Sequence, residues 1–493
     1  DVVEEATRLI REAEFPVILS GNGTLRNGAS ENLRAFARAN GIPVLNTFMG
    51  KGVFPPDDPL CLFTIGLGAR DWTAACVERA DCVIAVGFDM VEYHPKAWNR
   101  GNAKAIVHVD QSAAEIDENY RTACELVGDI GLSLDALAKA TAGMTPPAPA
   151  RYAPYRERML ADFHEHDGDT GAPIAPQKVL REVRRFLDDR DIVLSDVGAH
   201  KMWIARYLQS AEPNTIQISN GFCSMGFALP GAIAAKIVHP DRRVLAICGD
   251  GGFLMNVQDL ETAVREKLNI VVMIWEDGEY GLIKWKQQAQ FGRHSHIDFT
   301  NPDFVKLAEA FGMEGIRVPD AESLPGALER AFSAGRPALV VLPIDYSENM
   351  KLTAALREIP VDAVCDALAG VPLFKGLPRP YREAVAARME TRSIAAGTVL
   401  FRQGEAGGEL FVIHDGEVRV ERDGAVVATL GAGQAVGEMA ALSAGPRSAT
   451  VTAVADVTAS VLDGGEFRSL VATQPELGLA LSRLLAERLA TRA

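Results

Sequence analysis

What the 493-residue sequence lacks narrows its function before any motif is read. It has no apolar run of about 18 residues, so no membrane-spanning helix is predicted. No charged and then apolar leader is visible either. Positive charge is in short supply. Fifty Lys and Arg against 65 Asp and Glu leave a formal charge of −15, which argues against a nucleic acid or an anionic membrane as partner. There is no C-x-x-C pair. Cys61, Cys76, Cys82, Cys124, Cys223, Cys248 and Cys365 are scattered and odd in number, and several lie in apolar runs. They read as buried thiols rather than disulfides or zinc ligands, which suits a reducing cytoplasm. Internal repeats and long low-complexity segments are missing too.

What is there suggests large cores, since 48% of the residues are apolar. The length predicts about three domains at roughly 150 residues each. Residues 1–140 alternate helix and strand, with apolar strands near 16–19, 43–45, 82–86 and 105–109. Strands separated by helices imply a parallel, doubly wound sheet. Residues 141–172 read as a proline-rich linker. Its run His164-Glu165-His166-Asp167-Gly168-Asp169 could be mistaken for a metal cluster, but a solvated connector is the better reading. Residues 173–350 form a second α/β unit, with strands near 192–194, 244–248, 270–274 and 338–342. Residues 351–370 are a second linker. From 371 to 493 short β runs alternate with turn dipeptides such as Asp415-Gly416 and Asp423-Gly424, and a last helix is predicted over 475–489. The chain begins at Asp1, inside a helical pattern. It is therefore expected to be a piece of a longer product; the alternative is a true start near Asp1.

One stretch organises the second unit. An apolar run, 244–248, stops at Gly249-Asp250-Gly251-Gly252. A second, 270–274, stops at Trp275-Glu276-Asp277-Gly278-Glu279-Tyr280-Gly281. Glycines let the backbone turn tightly and approach a ligand. Val257, Leu260, Val264 and Leu268 then predict a helix whose N-terminus would attract phosphate. Asp250 and Asp277, with a backbone carbonyl and phosphate oxygens, would suit octahedral Mg²⁺. The plain alternative is an ordinary strand–turn–helix with an exposed Asp.

This stretch resembles the thiamine diphosphate fingerprint, Gly-Asp-Gly followed by Asn-Asn, with Glu276-Asp277 in place of the two amides. Ser195-Asp196-Val197-Gly198-Ala199-His200-Lys201-Met202-Trp203 and the run from Ser219 to Pro230 resemble cofactor-contacting loops of acetolactate synthases. Pro343 to Asn349 is similar to the end of the catabolic type. The resemblance covers residues 1 to about 355 and implies a set of cofactor contacts: Val197, Gly198, His200, Cys223, Met225, Gly249, Asp250, Gly251, Gly252, Asp277, Glu279, Tyr280 and Gly281. Asp250, Asp277 and the backbone carbonyl of Glu279 would hold Mg²⁺. Met225 would be the apolar wedge that bends the cofactor, although a methionine there can equally be core. Gly281-Leu282-Ile283-Lys284-Trp285-Lys286 lacks the Gln-Trp of biosynthetic members, which implies a catabolic, FAD-independent type. Gly21 and Gly23 are too weak a signal for a dinucleotide.

The resemblance further implies that two pyruvates condense to 2-acetolactate and carbon dioxide, in a homodimer or homotetramer. Another 2-oxo acid decarboxylase or carboligase is the alternative. The proton-abstracting Glu of such enzymes lies on an N-terminal pyrimidine-binding domain to which nothing in this sequence corresponds, so no catalytic residue is assigned. A non-catalytic sensor built on a degenerate enzyme is the remaining reading.

The run Gly437 to Val451 places Glu438 and Arg447 around a short turn of small residues. Arg can grip a phosphate with a fork of donors; a surface ion pair is the plain alternative. With Gly404-Glu405 and Leu410 to Val418, the string resembles a cyclic nucleotide-binding domain. That implies a β-roll with flanking helices and contacts from Gly437, Glu438, Met439, Ala440, Arg447 and Ser448 to cAMP or cGMP. No helix-turn-helix follows before Ala493, so a transcription-factor reading is not expected. The predicted fold is thus two doubly wound α/β domains followed by a β-roll.

Overall fold

The computed structural model describes all residues except 1, 68–70, 100–101, 353–360, 372–373, 387, 438–444 and 474–493. The chain divides into two compact units, Asp1–Ala354 and Ala355–Ala493.

The first unit holds two six-stranded sheets. Strands β1 (Pro16–Ser20), β2 (Val44–Thr47), β3 (Cys61–Ile65), β4 (Cys82–Val86), β5 (Ala105–Asp110) and β6 (Cys124–Val127) form one, in the order β3-β2-β1-β4-β5-β6. Strands β7 (Ile192–Ser195), β8 (Ile216–Ile218), β9 (Val244–Gly249), β10 (Val271–Glu276), β11 (Glu314–Arg317) and β12 (Ala338–Pro343) form the other, in the order β11-β12-β10-β9-β7-β8. Every pairing in both is parallel. Helices cover both faces, so the central strands are apolar throughout. In β9, Val244, Ala246 and Cys248 face one core while Leu245 and Ile247 face the other, the two-residue period of a strand. The strand order reverses between β1 and β4 in the first sheet and between β7 and β9 in the second. Ligands bind at such switch points in open parallel sheets.

Two sequence expectations for the first unit differ from the structure. The helix expected after Gly252 is broken into Asp250–Phe253, a 3₁₀ turn at Val257–Asp259, and Leu260–Arg265. Asn256 causes the break. It leaves helical dihedrals (φ −133°, ψ 26°), and its side chain donates to the carbonyl of Gly226 at 2.7 Å. The expected linker 141–172 contains a twelve-residue helix, Ala153–His164, with Tyr155 and Met159 buried one turn apart. In the run from His164, His164 pairs with Asp167 at 2.9 Å and His166 with Asp169 at 2.7 Å, and His166 Nε2 also reaches Glu348 at 3.3 Å.

The second unit is a β-roll. Strands β13 (Glu390–Ile394), β14 (Val399–Phe401), β15 (Leu410–Asp415), β16 (Val418–Arg422), β17 (Ala425–Leu430), β18 (Ala435–Val436), β19 (Thr450–Ala453) and β20 (Val457–Leu462) make two antiparallel sheets, β13-β20-β15-β18 and β14-β19-β16-β17. Phe401, Phe411, Ile413, Val418, Val451 and Val461 form the core between them. Asp423-Gly424 turns β16 into β17 with both φ positive, 53° and 81°, as a two-residue hairpin of the primed kind requires. Helices Val361–Gly370, Arg379–Ala386 and Gly464–Thr473 flank the roll; the first falls within the expected linker 351–370, and its apolar Val364, Cys365 and Leu368 are buried in the core. The helix predicted over 475–489 lies outside the described residues.

Candidate functional site

Asp196 follows β7 and is fully buried. Its carboxylate accepts from its neighbour Val197 N (2.7 Å) and, across the loop, from Gly226 N (2.9 Å) and Phe227 N (3.2 Å). One side chain thus clasps the loop after β7 to the loop that carries Met225. Burial pushes its pKa up to about 6 despite the three donors. A Cβ on Gly252 would lie 2.9 Å from Asp196 Oδ2, so only glycine lets the turn after β9 sit on this clasp.

His200 packs its ring against two glycines. A Cβ on Gly198 would meet the ring at 2.8 Å, and one on Gly249 at 3.2 Å. The side chain is buried, its Nε2 has no hydrogen-bond partner among the described residues, and burial lowers its pKa to about 4. A neutral imidazole with one free buried nitrogen is therefore presented at the β7–β9 switch point.

The acidic pair sits beside it. Asp250 is buried, and its Oδ2 accepts from Gly278 N (2.7 Å), Asp277 N (3.1 Å) and Asn301 Nδ2 (2.7 Å). Its Oδ1 accepts from Gly251 N at 2.7 Å. Asp277 is pushed up to about 7, first by burial and then by the neighbouring Asp250 carboxylate. The turn that carries it is stapled to residues 297–301 by Tyr280 N to Ile297 O and Phe299 N to Gly278 O, both 2.9 Å. Gly251 makes room for the Tyr280 and Phe299 rings, and Gly281 for Asp277 and Ala199. Gly198, His200, Gly249, Asp250, Gly251, Gly252, Asp277, Tyr280 and Gly281 thus converge, with Val197 bound to Asp196. Met225 is half-buried on the clasped loop, and Cys223 lies two residues before it. The Glu279 side chain turns to Lys284 (2.5 Å), and Glu276 turns to Arg317 (2.7 Å). A cavity of about 550 Å³ opens beside this turn, lined by Asp277, Lys284, Trp285, Tyr346 and Met350 among others.

These residues fit a metal-bound diphosphate. The buried Asp250, the half-buried Asp277 and a turn carbonyl are hard oxygen donors of the kind that Mg²⁺ takes. The glycines form a cradle that any Cβ would fill, and His200 Nε2 is a buried polar atom in need of a partner. The helix expected to draw phosphate after Gly252 is only four residues long, while longer helices open beside the site at Ala199 and at Gly281. Asp196 and Asn301 escaped the sequence reading. Asp196 stood inside a recognised string without a role, and Asn301 reaches Asp250 from 51 residues away.

The first sheet's switch point is different. Gly21 and Gly23 pack on the backbone of Gly87, where a Cβ would come within 2.4 and 2.6 Å. The buried Glu92 carboxylate accepts from Asn22 N at 3.0 Å and from the Thr47 hydroxyl. In a sheet of this strand order, that amide is where a dinucleotide's diphosphate would sit. Burial raises Glu92 to about 7.

In the second unit, Arg447 is 4% exposed. Its guanidinium lies 4.0 Å from the Phe401 ring centroid, and Nη1 donates to the carbonyl of Glu409 at 2.7 Å. Its Nε is buried with no partner among the described residues. Backbone bonds of 2.9 Å tie Arg447 to Gly404 and Glu405. Gly437 (φ 89°) clears Glu409 O and Arg447 Nη1, which a Cβ would meet at 2.4 and 2.6 Å. Ser448 is exposed beside them. Glu438, Met439 and Ala440 lie outside the described residues.

Comparison with known proteins agrees with this geometry. Residues 196–342 match the family described as thiamine pyrophosphate enzyme, C-terminal TPP binding domain; residues 3–137 match its central domain. Residues 391–474 match the cyclic nucleotide-binding domain. The chain therefore carries the central and cofactor-binding domains of a thiamine pyrophosphate enzyme, together with a cyclic nucleotide-binding domain. Within that class it is a homologue of acetolactate synthases over 72% of its length. It is 33% identical to the acetolactate synthase of Bacillus subtilis over 363 residues, and 35% identical to the catabolic acetolactate synthase of Raoultella terrigena over 364 residues. A probable acetolactate synthase large subunit of Methanocaldococcus jannaschii is 32% identical over 372 residues. The chain spans 63%, 64% and 61% of the lengths of these three relatives.

Proposed function

We propose that the first unit binds thiamine diphosphate through Mg²⁺ and serves the condensation of two pyruvates to 2-acetolactate and carbon dioxide. The convergence of Asp250, Asp277 and the partnerless His200 Nε2 in a glycine cradle carries this reading. Asp250, Asp277 and the Glu279 carbonyl hold the cation, and His200 and the Val197–Gly198 backbone face the diphosphate. Met225 sets the cofactor's bend, and Asp196 holds the Met225 loop in register with the β7 loop. When bound, the cofactor supplies stabilisation of the carbanion left by decarboxylation. The protein supplies orientation. Its proton-abstracting Glu is assigned to the part of the relatives that this chain does not span. Glu92, already seated on the Asn22 amide, supports a flavin-independent type.

The second unit is proposed to bind cAMP or cGMP, with Arg447 and Ser448 on the cyclic phosphate and Glu438 on the ribose, and to regulate the first. Titration of thiamine diphosphate should show saturable binding with Mg²⁺, none with a chelator, and none in Asp250→Ala. Pyruvate turnover to 2-acetolactate is then assayed with the relatives' N-terminal domain supplied. Binding without turnover would remove the carboligase reading, and no binding in either state would remove the cofactor reading as well.

A further inference from the structure

Of the seven cysteines, Cys223 alone is not buried. Its backbone lies in the left-handed region (φ 50°), where glycine is the usual residue and a side chain costs energy. A strained non-glycine residue beside a functional site motivates a search for what its side chain does.

Its sulfur lies 3.1 Å from Lys201 Nζ. Lys201 is 4% exposed and anchored on the helix Ala199–Tyr207. Nζ also donates to Ser219 O at 2.7 Å and sits 5.1 Å from the Phe48 ring centroid. The amine is therefore held on the sulfur rather than free to sample solvent. Phe222, next to Cys223, is fully exposed, so small solutes reach this loop. Cys61, Cys76, Cys82 and Cys248 are withdrawn from solvent. Burial pushes Cys61 up to about 11 and Cys82 up to about 12, and it raises Cys76 and Cys248 as well. Buried thiols of this kind are inert.

We propose that Lys201 and Cys223 form a peroxide-sensitive latch, joined by a reversible bond between Cys223 Sγ and Lys201 Nζ. Sulfur attacks hydrogen peroxide, the O–O bond breaks, and Cys223 becomes a sulfenic acid with loss of water. Lys201 Nζ gives its proton to solvent, attacks the sulfur and displaces the hydroxyl as a second water. One thiol, one ammonium and one peroxide thus give one S–N bond, two waters and one proton. Sulfur loses two electrons and the peroxide oxygens gain them. An added thiol reverses the step by attacking the sulfur and releasing the amine. The bond would tie the Met225 loop to the helix that begins at Ala199 and carries His200. It does not depend on which cofactor that site holds.

The test is peptide mass mapping of the full chain after brief exposure to dilute hydrogen peroxide, followed by alkylation and digestion. The expected result is a joined peptide pair containing Lys201 and Cys223, lighter by two hydrogen atoms than the separate peptides and split by dithiothreitol. In Lys201→Arg the pair should vanish, with Cys223 passing to sulfinic acid. Wild-type Cys223 that carries oxygen while Lys201 stays free would overturn the proposal. So would a joined pair that survives dithiothreitol. The wild-type measurement decides even where the variant folds poorly.

Discussion

Asp196 and Asp250, both buried, and the half-buried Asp277 are three carboxylates with three different surroundings. Asp196 accepts from backbone donors, so Asp196→Ala strands the buried N–H of Gly226 and the half-buried ones of Val197 and Phe227. A fully buried unpaired donor costs about 1–3 kcal/mol, and a half-buried one less. The variant should lose about 2–4 kcal/mol of stability, read from the denaturant midpoint, together with thiamine diphosphate affinity. Asp250 accepts three donors on Oδ2 and one on Oδ1, so Asp250→Asn, which turns an amide toward backbone donors, should abolish cation-dependent binding. Asp277 faces Asp250 with little relief. Asp277→Asn keeps one oxygen for a cation and removes the repulsion. It should raise the melting temperature of the ligand-free protein while preserving Mg²⁺-dependent binding. A fall in that temperature would show that the pair does not repel in the free state.

At the scale of elements, Glu92 links the turn after β1 to β2 through Asn22 and Thr47. Its pKa rises from 4.5 to about 7 on folding. The folded state therefore binds the extra proton between these values, and stability falls as pH rises from about 4.5 to 7. The full shift amounts to no more than about 3 kcal/mol. Glu92→Gln should flatten that part of the stability–pH curve for the first unit; an unchanged slope would mean that another group sets it. Much of this layer was legible in the sequence. Parallel strands buried on both faces read as unbroken apolar runs, and the glycines after β9 marked where they stop. The broken helix was not legible, because its cause is a tertiary bond from Asn256 to Gly226. Nor was the helix Ala153–His164, whose Tyr155 and Met159 were overshadowed by neighbouring prolines and charges. Asp196 was missed because its partners sit 30 and 31 residues away. A pattern of residue types shows where a chain stops, but not what closes over it.

Over the whole molecule, two units with separate cores should unfold as separate calorimetric transitions rather than one. Thiamine diphosphate with Mg²⁺ should raise one transition and cyclic nucleotide the other, each by about 2.7 kcal/mol at one hundred times its dissociation constant. Regulation adds a stricter expectation. By reciprocity, cyclic nucleotide must change thiamine diphosphate affinity by the same factor as the reverse, typically about 5–150-fold. Identical cofactor titrations with and without cAMP or cGMP would leave the second unit a bystander. Arg447→Ala should remove the nucleotide's effect on its own transition and leave the cofactor's shift in place.

The carboxylate at the first sheet's switch point also bears on supply. On the flavin-independent reading proposed above, the protein keeps the Glu92 carboxylate, not a flavin's diphosphate, on the Asn22 amide. Its output would then follow thiamine and magnesium but not riboflavin. Cells depleted of riboflavin should make it at full occupancy, while flavin-loaded enzymes beside it fall idle.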